Sequence, residues 1–535
     1  RSYSVTGVQT CALPILSRLD FGLKDLSDAL PVPLSSLTAP ITTYLTPLLW
    51  PSGVPLAGEE LLPFPRPEQE AWLPLLEASD SQDRPRCLAG ALVHFAGPYE
   101  GSQWLAWSVT EPAYYQSEEF RQGLPQALTW LASEATRQRA EAKAEEELAD
   151  RQIVGSCNFF IGTQNFGPRY HFTEDSLLVE SALEMTALGA TSFKGELSRR
   201  VFATNTREQP VYDLAASPAV TTLVQLAQHP DYRRLFALPI RQYVFWTYPL
   251  GGASYVPDED DSPHYGFCKP MTARQRENEY REFYDLTAWL LATYSGTGKQ
   301  FFLGNWEGDG MLAIASAGWG NNPSEEAVQA MIDRLRVRQQ AVSEARAATP
   351  HHEVEVYHYL ECNNVTRPMR GETMRTVVAD VLPFVDVDYV SYSSYEATVK
   401  VGTAEFASDY QRHLDFILTK APAVVTEEKR LLIGEFGWPA STATPDQQKE
   451  RTREVLLAAL RWGSPLAFYW QLYDNEGTGY WMIDDQGVRQ PVHTLYQRCF
   501  EGARRWAVDF QTKEGRLPTP EELRPVLIRL LEEAP

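Results

Sequence analysis

Two glutamates stand where chemistry could be done. Glu435 lies in LLIGEFGW and Glu307 in FFLGNWEGD. An apolar run closed by a lone acid reads as a buried strand that delivers a carboxyl to its end. Because side chains alternate along a strand, Asn305, Glu307 and Asp309 are predicted to share one face. Burial beside other acids disfavours ionisation, so such a glutamate needs hydrogen-bonding partners to stay charged. Two carboxyls facing one pocket can break an acetal link. One attacks the carbon, while the other gives a proton to the leaving oxygen and later takes one from water.

Such a pair needs a scaffold that brings distant strand ends together. From residue 153 onward, strand-like and helix-like runs alternate. Strands are predicted to begin near Cys157, Thr191, Arg241, Lys299, Glu353, Asp386, Lys429 and Pro465. The helices between them carry start and stop residues: Thr173 and Gly189, Thr272 and Gly296, Pro323, then Pro445 and Gly463. Caps, first-turn prolines and terminal glycines belong at these places. Eight such units predict a (β/α)8 barrel. A doubly wound open sheet is the alternative. It would usually carry a glycine-rich phosphate loop after its first strand, where this chain has GTQNFG.

In a barrel the polar groups closing the strands face one pocket. They are Asn165; Lys194 and Glu196; Trp246 and Tyr248; Asn305, Trp306, Glu307 and Asp309; His358, Glu361 and Asn363; Tyr392 and Tyr395; Glu435 with Trp438; and Trp470 with Gln471. The set is rich in carboxylates, amides and aromatics and poor in histidine. It suits a carbohydrate: aromatic faces stack on pyranose C–H surfaces, and amides and acids bind hydroxyls. No cofactor and no metal site is implied. His358 reads more readily as a supporting group than as a base.

On these residues the chain resembles the clan of retaining (β/α)8 glycoside hydrolases. The GEFG around Glu435 is similar to that clan's seventh-strand motif. The resemblance spans roughly residues 153–509. It implies Glu435 as nucleophile, Glu307 as acid/base, Tyr392 or Tyr395 as the tyrosine orienting the nucleophile, and Trp470 as the aromatic floor. Asn305 would hold a sugar hydroxyl. The chain departs from the pattern in three places. Trp306 intervenes between Asn305 and Glu307, Lys194 stands where the clan often has arginine, and Ser391 or Ser393 replaces a histidine. Glu361, in YLECNN, is a rival acid/base.

The remaining chain frames the expected layout: an adapter-like segment 1–15, an α+β accessory region 16–150, the barrel 151–510 and a helical tail 511–535. RSYSVTGVQTCALPI resembles an in-frame translation of a sequencing adapter, a contaminant of assembled metagenomes, which leaves targeting open. Residues 31–67 hold nine prolines and cannot be helix interior or central strand. Residues 87–115 read as a hairpin and 116–150 as a helix with a solvated, mixed-charge face. The run Asp258, Glu259, Asp260, Asp261 lacks calcium-loop spacing and reads as a solvated loop. Cys87, Cys157, Cys268, Cys362 and Cys499 are scattered without a CxxC pair, which favours a reducing, cytoplasmic setting. A net charge of −22 argues against nucleic acid as partner, and no apolar run approaches a membrane span. The expected partner is a carbohydrate substrate. A non-catalytic glycan-binding barrel and a metal-dependent barrel hydrolase are the competing readings.

Overall fold

The computed structural model describes residues 39–41, 70–79, 85–96, 100–107, 112–202, 211–215, 219–251 and 266–534. The adapter-like segment, most of the proline-rich stretch and the acidic run Asp258–Asp261 lie outside these residues. The chain forms two compact units. One holds the described residues up to 152 with 483–494, and the other holds 153–482 with 495–534.

The first unit carries an antiparallel sheet in the order β1 (Ala39–Ile41), β2 (Glu70–Ser79), β3 (Pro85–His94), β4 (Gln103–Trp107). The expected hairpin is β3–β4, turning at Gly101 with φ 85°. Its second strand ends at Trp107, and Pro112–Gln116 is already helical. The expected single helix is broken at Ala132–Ser133 into Glu118–Leu131 and Glu134–Gly155. Alternate residues Leu73, Leu75, Ala91 and Val93 bury one sheet face in a core with Ala127 and Leu131.

The second unit is a (β/α)8 barrel. Its strands are β5 (Ile161–Thr163), β6 (Ser192–Leu197), β7 (Gln242–Thr247), β8 (Gln300–Gly304), β9 (Glu355–Cys362), β10 (Tyr389–Ser393), β11 (Leu431–Phe436) and β12 (Ala467–Tyr469). All are parallel neighbours in sequence order, with β12 beside β5. A parallel bridge between Gln164 and Lys194 joins the remaining edges, β5 and β6. Strands covered on both faces read as continuous apolar runs, which is why LLIGEF and QFFLG identify themselves.

Local signals fix where the helices begin and end. Thr272 and Thr444 each form a capping box with the glutamine three residues on, and Pro445 occupies the first turn. Gly189 and Gly463 close their helices at φ 97° and 109°, a left-handed conformation that glycine adopts without a Cβ penalty. One start differs from the sequence reading. Ser176, not Thr173, caps Leu177–Leu188, because Thr173 is bonded to the Glu180 carboxylate through both its N–H and its hydroxyl. The tail helix Pro520–Glu533 packs on Pro445–Trp462, with Arg524 donating to the Leu460 and Ser464 carbonyls. Among the described residues no helix is long and apolar enough to cross a membrane.

Between helices Ala273–Thr293 and Glu325–Ala348 lies a buried charge cluster. Glu279 accepts from Arg334 at 2.7 Å and from Arg338 at 2.6 Å. Arg338 also lies 5.5 Å from the centre of the Tyr248 ring, and the Tyr248 hydroxyl accepts the Trp306 N–H. The cluster thus backs the wall that carries Trp306 and Glu307. Breaking one partner of a buried pair leaves an uncompensated charge at a cost of about 3–5 kcal/mol. Glu279→Ala is expected to lower the melting temperature of the circular dichroism transition by that measure. An unchanged melting temperature would show that the cluster is solvated and not structural.

Candidate active site

At the C-terminal end of the barrel lies a cavity of about 850 Å³. Glu307, Glu435, Tyr395, Trp246, Trp306 and Trp470 line it. These are six of the residues picked out from sequence, brought together from five strand ends.

Glu435 owes its position to an irregularity in β11. Tyr392 pairs with Ile433 but Ser393 pairs with Glu435, so Gly434 is an extra residue in the ladder. Such a bulge re-aims the residue beside it. The Gly434 carbonyl accepts from Lys194 Nζ at 2.9 Å and from Gln164 Nε2 at 3.2 Å. Only glycine fits there, since a Cβ would collide with Ser391 Oγ and Glu361 Oε2. Tyr395 donates to Glu435 Oε2 at 3.3 Å, and Lys194 Nζ lies 3.6 Å from Oε1. Burial pushes the Glu435 carboxyl well above the usual range. Lys194 opposes this, and the Glu361 and Glu307 charges add to it.

Glu307 is reached differently from the sequence reading. Strand β8 ends at Gly304, and Glu307 caps the helix Gly308–Ala315. The three residues Asn305, Glu307 and Asp309 therefore do not share a strand face. Glu307 Oε1 accepts from Ser393 Oγ at 2.7 Å and Oε2 from Asn363 Nδ2 at 3.0 Å. Ser393 is the register partner of Glu435. Neighbouring strands lie about 4.8 Å apart, so the hydroxyl that bonds Glu307 springs from the position beside Glu435. Burial raises Glu307 to about 7, with Ser393 opposing and Glu361 and Asp309 adding.

Several expected site residues lie off the cavity, mostly because of strand alternation. Gln164, Ser391 and Glu361 point to the barrel axis, so Asn165, Tyr392 and His358 point to the helices. Asn165 donates to Ser181, Tyr392 donates to Glu396, and His358 pairs with Gln339 and meets the Phe283 ring edge-to-face. Burial holds the His358 imidazole well below its ordinary pKa, so it stays neutral. Of the two tyrosines, Tyr395 is thus the one that meets Glu435. Asp309 spends its carboxylate on the backbone N–H groups of Asn363, Asn364 and Val377. Asn305 donates to the Trp306 carbonyl, Trp438 lies under Arg451, and Glu196 is bonded by Ser198 and paired with Arg200. Glu361 is fully buried beneath the floor, bonded by Lys194 and Ser391, and does not reach the cavity as a rival acid.

The sequence reading missed Phe166, Arg200, Asn475, Glu476 and Tyr480, all of which line the cavity. Phe166 stacks on Trp246 with ring centres 3.8 Å apart and on Trp470 at 5.7 Å, giving one continuous aromatic wall. Asn475, Glu476 and Tyr480 lie in DNEGTGY, just beyond the eighth strand, a segment that barrels commonly use in their sites. Trp246 Nε1 and Asn475 Oδ1 are buried without a hydrogen-bond partner among the described residues. A spare donor and a spare acceptor therefore face the same space. No group of three or more His, Cys, Asp and Glu among the described residues is arranged to hold a metal ion.

No family model and no curated relative matches the chain. Solved structures similar to it include a family 39 glycoside hydrolase from Bacteroides cellulosilyticus WH2, 13% identical, covering 89% of this chain and 79% of that one, with a TM-score of 0.40. A family 5, subfamily 18 glycoside hydrolase from Bifidobacterium longum subsp. longum is 13% identical over 67% of this chain and 80% of that one, with a TM-score of 0.41. A family 17 β-1,3-glucanosyltransferase from Rhizomucor miehei is 10% identical over 62% and 96%, with a TM-score of 0.35.

A carboxyl raised in the folded state stabilises the fold below its unfolded pKa, and that contribution is lost as pH rises through the folded value. For Glu307 the loss falls on the way up to about 7 and just beyond. Glu307→Gln removes the titration. The variant is expected to melt close to the wild type at about pH 5 and above it at about pH 9. A melting difference that is the same at both ends would show that Glu307 titrates normally.

Proposed function

We propose that the protein is a glycoside hydrolase that cleaves O-glycosidic bonds with retention, by double displacement. The observation that carries this reading is that Glu307 and Glu435 line one aromatic-walled cavity, with Glu307 bonded by Ser393, the register partner of Glu435. A retaining mechanism needs two carboxyls about 5–5.5 Å apart with different protonation states. Burial raises both here, so near neutrality the pair does not hold two charges. The local partners decide which of the two holds the charge. Glu435 meets an ammonium and a phenol, whereas Glu307 is bonded by a neutral hydroxyl and a neutral amide.

In the first step a Glu435 oxygen attacks the anomeric carbon. The bond to the leaving oxygen breaks, its electron pair stays on that oxygen, and Glu307 supplies the proton. In the second step Glu307, now a carboxylate, takes a proton from water, which attacks the same carbon and frees Glu435. Tyr395 keeps the attacking carboxylate oriented. The stacked Phe166, Trp246 and Trp470 offer apolar faces to sugar C–H groups, while the spare N–H and carbonyl groups meet hydroxyls.

The test is kinetic. On an aryl glycoside, Glu307→Ala is expected to lose about 10²–10⁴-fold in kcat/KM, the range for a removed general acid. Glu435→Ala is expected to lose more. Azide should restore turnover in both variants, giving the product of retained configuration with Glu307→Ala and of inverted configuration with Glu435→Ala. Near-normal rates in either variant would remove that residue from the chemistry. Binding of glycans without turnover by the wild type would favour a lectin-like barrel.

A further inference from the structure

The mechanism above does not use Glu361, yet this is among the least accessible charged groups of the barrel. Its side chain and that of Lys194 are both 0% exposed. Lys194 Nζ lies 3.2 Å from Glu361 Oε2 and 3.6 Å from Glu435 Oε1, and it also donates to the Gly434 carbonyl. Ser391 holds the same Glu361 oxygen at 2.7 Å. One ammonium is thus shared between an acid in the cavity and an acid beneath it.

That sharing acquires a purpose if Glu435 is the nucleophile. When Glu435 is esterified it loses its charge. An ammonium paired with Glu435 alone would then have no carboxylate in contact, because the charge that appears on Glu307 lies outside ion-pair distance of Lys194, and a buried charge without a contacting partner is costly. Protonation is no alternative counterweight, because the proton lost by Glu307 leaves with the departing oxygen. Resting on the retaining reading, we infer that Glu361 is a positioning residue. It is a standing counterion that holds the Lys194 ammonium in place beneath the floor, so that the ammonium steadies Glu435 before attack and stays paired in the glycosyl-enzyme.

Glu435 is faced by Lys194 from β6, by Glu361 and Tyr359 from β9, by Glu307 after β8, by Tyr395 after β10 and by Tyr480 after β12. Glu361 is faced by Lys194, Ser391, Tyr359, Cys362 and the two cavity acids. Of these only Lys194 is a cation. Removing the Glu361 charge therefore gives Glu435 the whole ammonium and takes away a repelling anion. Both effects favour the ionised form of Glu435.

Two readouts on the full chain test this. The first needs no substrate: carboxyl titration by carbon-13 NMR of glutamate-labelled protein. In Glu361→Gln the Glu435 carboxyl is expected to titrate lower than in the wild type by about one pH unit or more. In Lys194→Met it should titrate higher. An unmoved Glu435 in Glu361→Gln overturns the inference whatever the enzyme's activity, while the loss of the retaining reading would show instead as turnover by Glu435→Ala. The second readout is a cycle of rates. Glu361→Gln is expected to lower kcat about tenfold or more, the scale of a lost charge-assisted bond. Within Lys194→Met the same change should cost much less, because Glu361 acts through Lys194. An equal loss in both backgrounds overturns the inference. Should Glu361→Gln alone fail to fold, the double variant is compared with Lys194→Met. Removing the stranded carboxylate is expected to raise the melting temperature, and a fall would count against the pairing.

Discussion

A lysine ammonium out of reach of water, shared between two carboxylates, is the interaction on which the rest of this barrel depends. A buried charge survives only where paired and bonded. Lys194 meets that condition through Glu361, Glu435 and the Gly434 carbonyl. Each of these is fixed in turn by something with no chemistry of its own. The bulge at Gly434 turns its carbonyl to the axis, the absence of a Cβ there makes room for Glu361, and Ser391 holds Glu361 from the neighbouring strand. The fold supplies eight strand ends, but the site depends on this one irregular step in the seventh.

The same step explains how two acids remote in sequence come to share a cavity. Because the ladder skips Gly434, Glu435 sits beside Ser393, and Ser393 reaches Glu307. Asn363 holds the other Glu307 oxygen, and the loop that carries Asn363 is itself tied by Asp309. Behind the wall, the Glu279 cluster bears on Tyr248 and so on the Trp306 backbone. Acids, wall and supporting charges form one connected set, and this keeps both carboxyls in a medium that raises their pKa values.

The barrel was legible because its signals are local. Apolar runs, capping residues and terminal glycines announce strands and helices without knowledge of their neighbours. Glu435 and Glu307 were legible as acids at the close of such runs. What could not be read depends on register and on strand length. The choice of Tyr395 over Tyr392, and the outward turn of Asn165 and His358, follow from which parity faces the axis. The helical role of Asp309 follows from β8 stopping at Gly304. Arg200 comes from the one-turn helix Arg199–Val201 and Asn475, Glu476 and Tyr480 from the segment after β12, where no periodicity marks a residue as inward. Glu361 showed itself as an acid near a strand end, but its burial under the floor is a consequence of the bulge opposite it.

In the proposed mechanism Glu435 carries the sugar while Glu307 moves the proton. Trapping the covalent intermediate tests it most directly. An activated 2-deoxy-2-fluoro glycoside slows both steps but slows release more, and the inactivated protein can be digested and sequenced by mass spectrometry. A single fluorosugar on Glu435, stoichiometric with lost activity, is expected. A sugar on Glu307 or Glu361, or turnover of the natural linkage with inversion and no adduct, would contradict it.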